Sequence, residues 1–329
     1  MLTWPHSGTD WADSLADIEV VYAEMVKEIA VHEQLLIVCN SPEHEQHVRK
    51  LIGEQDQQRC RFVVADSNDS WCRDHGPISI LENGQLRLLD FQFNGWGNKF
   101  AAQLDNAINQ ACARQQVFAA PVDSSPLILE GGSIDTDGHG SLLTTERCLL
   151  SDTRNPGYSK AQLEQQLGQL LGVQRILWLQ HGALEGDDTD SHIDTLARFC
   201  NASTIVYCQC EDPADPHFDE LQRMQQELSR FSDADGRPYQ LVPLPLPAPI
   251  YDADDGHRLP ATYANFLIIN DAVLVPVYND RHDQRALDTL ADLFPDRRVI
   301  GINCLPVIRQ HGSLHCLTMQ LPEGAITSC

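Results

Sequence analysis

The residues most suited to chemistry lie in Gly186-Asp187-Asp188-Thr189-Asp190-Ser191-His192-Ile193-Asp194-Thr195, where four carboxylates and one imidazole fall within eight positions. Crowded carboxylates repel one another and raise each other's pKa unless a positive charge sits among them. The stretch therefore asks for a cation, either a metal or a cationic substrate. On an extended segment, side-chain alternation sends His192 and Asp194 to one face and turns Ile193 the other way into packing. Three further polar stretches carry carboxylates or aromatic rings: Trp71-Cys72-Arg73-Asp74-His75-Gly76-Pro77, Phe93-Asn94-Gly95-Trp96-Gly97 and Glu130-Gly131-Gly132-Ser133. Asp74 beside Arg73 reads equally well as a local ion pair, and Trp96 as a stacking surface or a loop anchor. The Gly131-Gly132 pair is no phosphate loop, because the Lys-Ser/Thr ending is missing. The last such stretch is His311-Gly312-Ser313-Leu314-His315-Cys316.

A cysteine, a histidine and several carboxylates at the ends of different strands suit nucleophilic catalysis on a cationic centre. Cysteine proteases do not ring their Cys and His with acids. Zinc hydrolases do use His and Asp, but His192-Ile193-Asp194 offers one imidazole where two or more are usual. The carboxylates point instead to a guanidinium, whose planar fork they match bidentately.

The elements that must position these residues alternate. Leu15, Ile18, Val21, Tyr22, Met25, Val26 and Ile29 recur at helical spacing and predict a helix packed by one face. Leu35–Cys39, 61–64, 78–81, 86–93, 127–129, 142–145, 173–179, 204–208 and 298–300 read as strands, and 266–269 with 273–275 as a hairpin. Residues 42–51, 100–112, 159–171, 218–231 and 283–294 read as helices, the four-proline run 243–249 as an extended connection, and 251–257 as an exposed acidic loop. His311–Gln320 reads as a glycine turn before a strand. Strand and helix alternation makes the class α/β. The helices recur at intervals of roughly 60 residues, a spacing that suggests a ring of similar units. No Gly/Ser-rich linker divides the chain, so residues 1–329 are read as one domain.

Composition narrows the partners. Of 329 residues, 42% are hydrophobic and 21% charged, and no apolar run approaches the roughly 20 residues of a membrane span. The N-terminal residues lack the pattern of a signal peptide, so a cytoplasmic location is expected. The net charge of −24 excludes a nucleic-acid footprint, which needs a basic patch, and suits small cations. Eleven cysteines without a disulfide-type framework are expected mostly as small buried hydrophobes. Cys208-Gln209-Cys210 lacks the second pair that a zinc site requires.

Over nearly its whole length the chain resembles the agmatine deiminase family, within the guanidine-modifying superfamily that includes peptidylarginine deiminases. The resemblance is carried by Trp4-Pro5-His6, 71–77, 93–97, Leu129–Ser133, Arg154-Asn155-Pro156, Asp187-Asp188-Thr189 with His192 and Asp194, and His315-Cys316. It implies a pentein fold, a five-bladed α/β propeller of ββαβ modules around a central site. It also implies Cys316 as nucleophile, His192 as general acid and base, Asp74 and Asp194 on the guanidinium nitrogens, and Glu130 beside His192 and the substrate. Asp188 is expected to shape the pocket or hold the substrate tail, and Trp71 and Trp96 to wall it. No metal and no cofactor is expected, the partner is a small cationic substrate, and a homo-oligomer stays open.

Three departures bear on the substrate tail. The family usually has two adjacent glycines shortly before His-Cys, where this chain has His311-Gly312; it commonly has Asn-Gly where Asp190-Ser191 stands; and Arg198 replaces a small or apolar residue. The resemblance implies hydrolysis of agmatine to N-carbamoylputrescine and ammonia. Free arginine, peptidyl-arginine, amidino transfer to an amine and a non-catalytic binding module are the alternatives.

Overall fold

Leu15–Ala30 buries Ile18, Val21, Tyr22, Met25, Val26 and Ile29 along one face, the stripe its 3.6-residue period requires. In the computed structural model, which describes residues 1–327, this helix lies between the first two strands of the first of five sheets. Five three-stranded sheets are formed among the described residues. They comprise β1–β3 (Leu2–Thr3, Leu35–Cys39, Cys60–Val64), β4–β6 (Ile78–Glu82, Gln85–Gln92, Val122–Ile128) and β7–β9 (Ile134–Thr136, Ser141–Thr145, Arg175–Leu179). The others are β10–β12 (Ala197–Asn201, Thr204–Gln209, Gln240–Pro245) and β13–β15 (Leu267–Ile268, Ala272–Val277, Arg298–Asn303).

In every sheet the second and third strands run parallel, and a parallel pair needs a crossover. The crossovers contain Pro42–Gln57, Ile108–Arg114, Lys160–Leu171, Phe218–Leu228 and Asp283–Leu293. Their starts are locally encoded: Ser41 accepts from the backbone of His44 ahead of Pro42, and Ser159 and Gln162 form a capping box, each offsetting an orphan helix N–H. The first strand is antiparallel to the second in four sheets and parallel in β1–β2. There Leu2 also bridges Thr318 antiparallel, and the Met319 N–H donates to the Met1 carbonyl at 3.0 Å, joining the two ends of the chain.

Several elements differ from the sequence reading. The proline run contains a strand, β12, tolerated because it lies at the edge of its sheet, where a missing N–H costs no ladder bond. The expected helix 100–112 shrinks to Ile108–Arg114 behind a 3-10 turn. Two of its polar side chains serve the neighbouring loops instead: Asp105 accepts from the backbone N–H of Asn68 and Asp69, and Asn106 from that of Phe93. Ile193–Thr195 is a 3-10 turn rather than extended chain. The expected strand after Gly312 is a 3-10 turn, His315–Leu317, followed only by the Leu2–Thr318 bridge.

Candidate functional site

The loops that follow the first-sheet, second-sheet and third-sheet strands meet the turns at 193–195 and 315–317. At their meeting point Gly132 leaves room that no side chain could share. A Cβ there would stand 2.6 Å from His192 Nδ1, 2.9 Å from Asp74 Oδ1 and 3.1 Å from Asp194 Oδ2. Three of the expected site residues, far apart in sequence, thus converge on one glycine.

Cys316 sits in the turn His315–Leu317, its Sγ 3.8 Å from Asp194 Oδ2 and 3.5 Å from Asn265 Oδ1. Asn265 holds that turn in place. Its Oδ1 accepts the backbone N–H of His315 at 2.8 Å and of Cys316 at 3.3 Å, while its Nδ2 donates to the Asp194 carbonyl at 3.2 Å. Asp194 Oδ2 is also 2.7 Å from His315 Nδ1, and its Oδ1 is buried without a hydrogen-bond partner. Asp74 accepts from the indole N–H of Trp96 at 2.9 Å and the backbone N–H of Gly132 at 2.9 Å, and its Oδ1 lies 3.6 Å from His192 Nδ1. Glu130 is fully buried and takes both oxygens to the Nε of Arg154, at 2.9 and 3.2 Å. Arg154 reaches on to Asp190 Oδ2 at 2.6 Å and the Thr189 carbonyl at 2.9 Å, so it fastens the acidic stretch to the Glu130 loop.

A cleft of about 130 Å³ opens over this centre, lined among others by Trp71, Asp74, Trp96, Phe100, Asp188 and Cys316. His192, Asp194 and Glu130 are wholly buried beneath it. Both ring nitrogens of His192 lack a hydrogen-bond partner, a costly state for a buried imidazole that a substrate or water would relieve. Glu130, Cys148 and His192 bring one ligand atom each within 4.8 Å of one another. Arg154 already occupies Glu130 there, which opposes a metal ion at that point.

Burial disfavours the charged form of each of these groups. Burial, with Asp194 and Glu130 adding, pushes the Asp74 carboxyl up to about 8. Burial raises Asp194 to about 7 against the pull of Arg198 and Arg73. Burial also raises Glu130, despite Arg154. The Cys316 thiol is driven well above its ordinary value by burial and then by Asp194 and Asp74. The His192 imidazole is driven well below its own by burial, Arg154 and Lys99. A bound cation reverses this balance, favouring both carboxylates and the thiolate together.

Every expected residue is therefore near the centre, but two expectations change. Arg198 does not reach the cleft: it pairs with Asp135 at 3.3 Å, donates to the Phe266 carbonyl at 3.0 Å and packs over the Phe266 ring. Arg73 points to the His315 carbonyl, Met319 and Gln320, behind the turn that carries Cys316. Sequence reading missed the roles of Arg154, Asn265 and His315. Arg154 stood within a recognised segment, and His315 adjoins Cys316, but Asn265 lies in an apolar run with no local signal.

The model of the Porphyromonas-type peptidyl-arginine deiminase family matches residues 1–322. The chain belongs to that family. Agmatine deiminase of Stutzerimonas stutzeri is 33% identical, the match covering 98% of this chain and 92% of that one. A structure of Campylobacter jejuni agmatine deiminase with substrate bound, carrying a Cys-to-Ser substitution, is 40% identical with a TM-score of 0.89, covering 96% and 91%. A Porphyromonas gingivalis structure provisionally named an arginine deiminase is 49% identical with a TM-score of 0.94, covering 99% and 96%. These two structures share the chain's fold over nearly its whole length.

Proposed function

We propose that this chain is an agmatine deiminase, a hydrolase of a linear C–N amidine bond that converts agmatine to N-carbamoylputrescine and ammonia. The observation that carries the reading is that Cys316, its Sγ 3.8 Å from the buried Asp194 carboxyl, lines one small cleft together with the buried Asp74. Full-length relatedness to agmatine deiminases supports it.

The bound guanidinium is held by Asp74 on one side and Asp194 on the other, each paired to its nitrogens. Its charge drains the cost of ionising Cys316, so the substrate helps to make its own nucleophile. The Cys316 proton passes to His192, and the thiolate attacks the central carbon, forming a C–S bond and a tetrahedral adduct. His192 delivers a proton to one nitrogen, the C–N bond breaks, and ammonia leaves. An S-alkylthiouronium remains on Cys316. His192 then takes a proton from a water that attacks the same carbon, the C–S bond breaks, and the ureido product departs as the thiol is restored. Glu130, held by Arg154, supports the imidazolium that forms in each half-reaction. The Cys-to-Ser form of the substrate-bound Campylobacter structure accords with a cysteine nucleophile. We further infer that the five ββαβ units close into a ring around this centre. The equal number of sheets and crossovers and the bridge from Leu2 to Thr318 support that closure.

Free arginine is the competing reading, favoured by the provisional name of the Porphyromonas gingivalis relative. An α-carboxylate needs a basic partner, and Arg73 and Arg198 are both committed elsewhere. Comparison of kcat/KM for agmatine, arginine and a blocked arginine peptide decides the matter. Agmatine is expected to lead, and a tenfold advantage for either competitor, about 1.4 kcal/mol, would overturn the proposal.

A further inference from the structure

His311 is the family departure that the structure makes most informative. It sits at φ +66°, a left-handed backbone that glycine holds freely and that a β-substituted residue rarely keeps without a reason. The side chain forms part of the wall of the cleft, with Gly312 and Asp188. Its Nδ1 lies 2.8 Å from the Gly186 carbonyl oxygen. A carbonyl can only accept, so Nδ1 carries the proton, and in the neutral ring Nε2 is left with its lone pair free to accept. Among the described residues Nε2 makes no hydrogen bond. The ring is fixed on a second side by stacking on His257, with centroids 5.1 Å apart and planes 19° apart. His257 comes from the acidic loop closed by the Tyr251–Arg258 bridge and is itself paired with Asp255. Two segments distant in sequence, at Gly186 and at His257, thus pin one imidazole at the cleft.

The charged side chains that line the cleft are acids, and Lys99, whose Nζ donates to the Asp188 carbonyl, is already engaged with Asp190. Asp188 Oδ2 is 3.8 Å from His311 Nδ1, and Asp10 and Asp69 line the same cleft. A substrate tail with a carboxylate would meet repulsion there, and one with an ammonium would find acceptors on several sides.

We propose that His311 is a specificity-determining residue that accepts a hydrogen bond from the terminal ammonium of a substrate whose other end, the guanidinium, is held over Cys316. The proposal rests on the deiminase reading and deepens it: the preferred substrate is a guanidinium–ammonium dication, and His311 with Asp188 measures its length and charge. The residue positions the tail and takes no part in bond making.

The test uses agmatine and butylguanidine, which has the same guanidinium and carbon chain without the amine. His311→Gly suits the backbone and is expected to fold. It should lower kcat/KM for agmatine by roughly 5- to 10-fold, chiefly through KM, as one lost hydrogen bond predicts, and leave butylguanidine within about twofold. His311→Asn tolerates the same φ and retains an acceptor, and should recover part of the loss. Equal losses on both guanidines, or a greater loss on arginine than on agmatine, would overturn the role while leaving the deiminase assignment intact. Failure of the unaltered chain to turn over agmatine would refute that assignment and this inference with it.

Discussion

At the scale of single residues, the site is a set of groups that are each unfavourable alone. Cys316, Asp74 and Asp194 are buried where ionisation is costly, and a bound cation would favour the charged form of all three. Cys316→Ser should therefore bind substrate and lose turnover by several orders of magnitude with circular dichroism unchanged, since the bulk it fills is kept and the nucleophile is not. Turnover retained by that variant would remove Cys316 from the mechanism. The pH profile follows from the same groups. Binding needs both carboxylates, and carboxyls raised to about 8 and about 7 are protonated below those values. The kcat/KM should accordingly fall as pH drops from 8 toward 6. Asp74→Asn should lower kcat/KM by at least about 10²-fold, because it unpairs one face of a buried cation. A profile flat across that range, or a mild effect of the substitution, would refute the clamp.

Among the elements, the turn that carries Cys316 depends on a residue outside it. The Asn265 side chain takes two backbone N–H groups of the turn and returns one to Asp194, so it sets the spacing between Cys316 and Asp194. Asn265→Ala leaves those buried donors unpaired, at about 1–3 kcal/mol, and lets the turn drift. The expected result is a kcat lowered by about 10²-fold, which a displacement of about 1 Å can cost, with KM changed less. Stability loss with unaltered kcat would mean that Asn265 supports the fold alone. Arg154 performs the analogous task on the other side of His192, tying Glu130 to Asp190 and Thr189.

For the whole molecule, burying acids has a consequence for stability. Asp74, Asp194 and Asp105 are raised by burial to about 8, about 7 and about 7 from an ordinary 3.8. In the folded protein they keep protons that the unfolded chain has lost. Raising pH through that window removes the protons and the stability they contribute. The depressed histidines, His44 at about 4 and His75 at about 3, work in the opposite direction but have finished by their ordinary value of 6.5. Between pH 6.5 and 8 the free protein's Tm should fall, and a saturating guanidinium ligand should flatten the decline by favouring the ionised carboxylates. A Tm that rises over this interval, or a ligand effect independent of pH, would contradict that account.

The α/β class, the long helices and most strands were legible from sequence because their signals are local. Hydrophobic period, Ser41 and Ser159 as caps, and the strand–loop order all act within a few residues. His192 and Asp194 were legible as types because carboxylates and imidazole are rarely so concentrated without chemistry, whereas Asp74, Glu130 and Cys316 drew their expected roles from the family resemblance. What lay beyond it were arrangements set by partners far along the chain. Nothing near residues 311–320 says that Asn265 will capture their N–H groups and turn an expected strand into a 3-10 turn. Nothing near 198 says that Asp135 will claim Arg198 and withdraw it from the substrate tail. The sequence determined which groups were available, since composition and period depend on neighbours alone. The tertiary structure decided which of them face the cleft, because burial, pKa and hydrogen-bond partnership are properties of the packed chain.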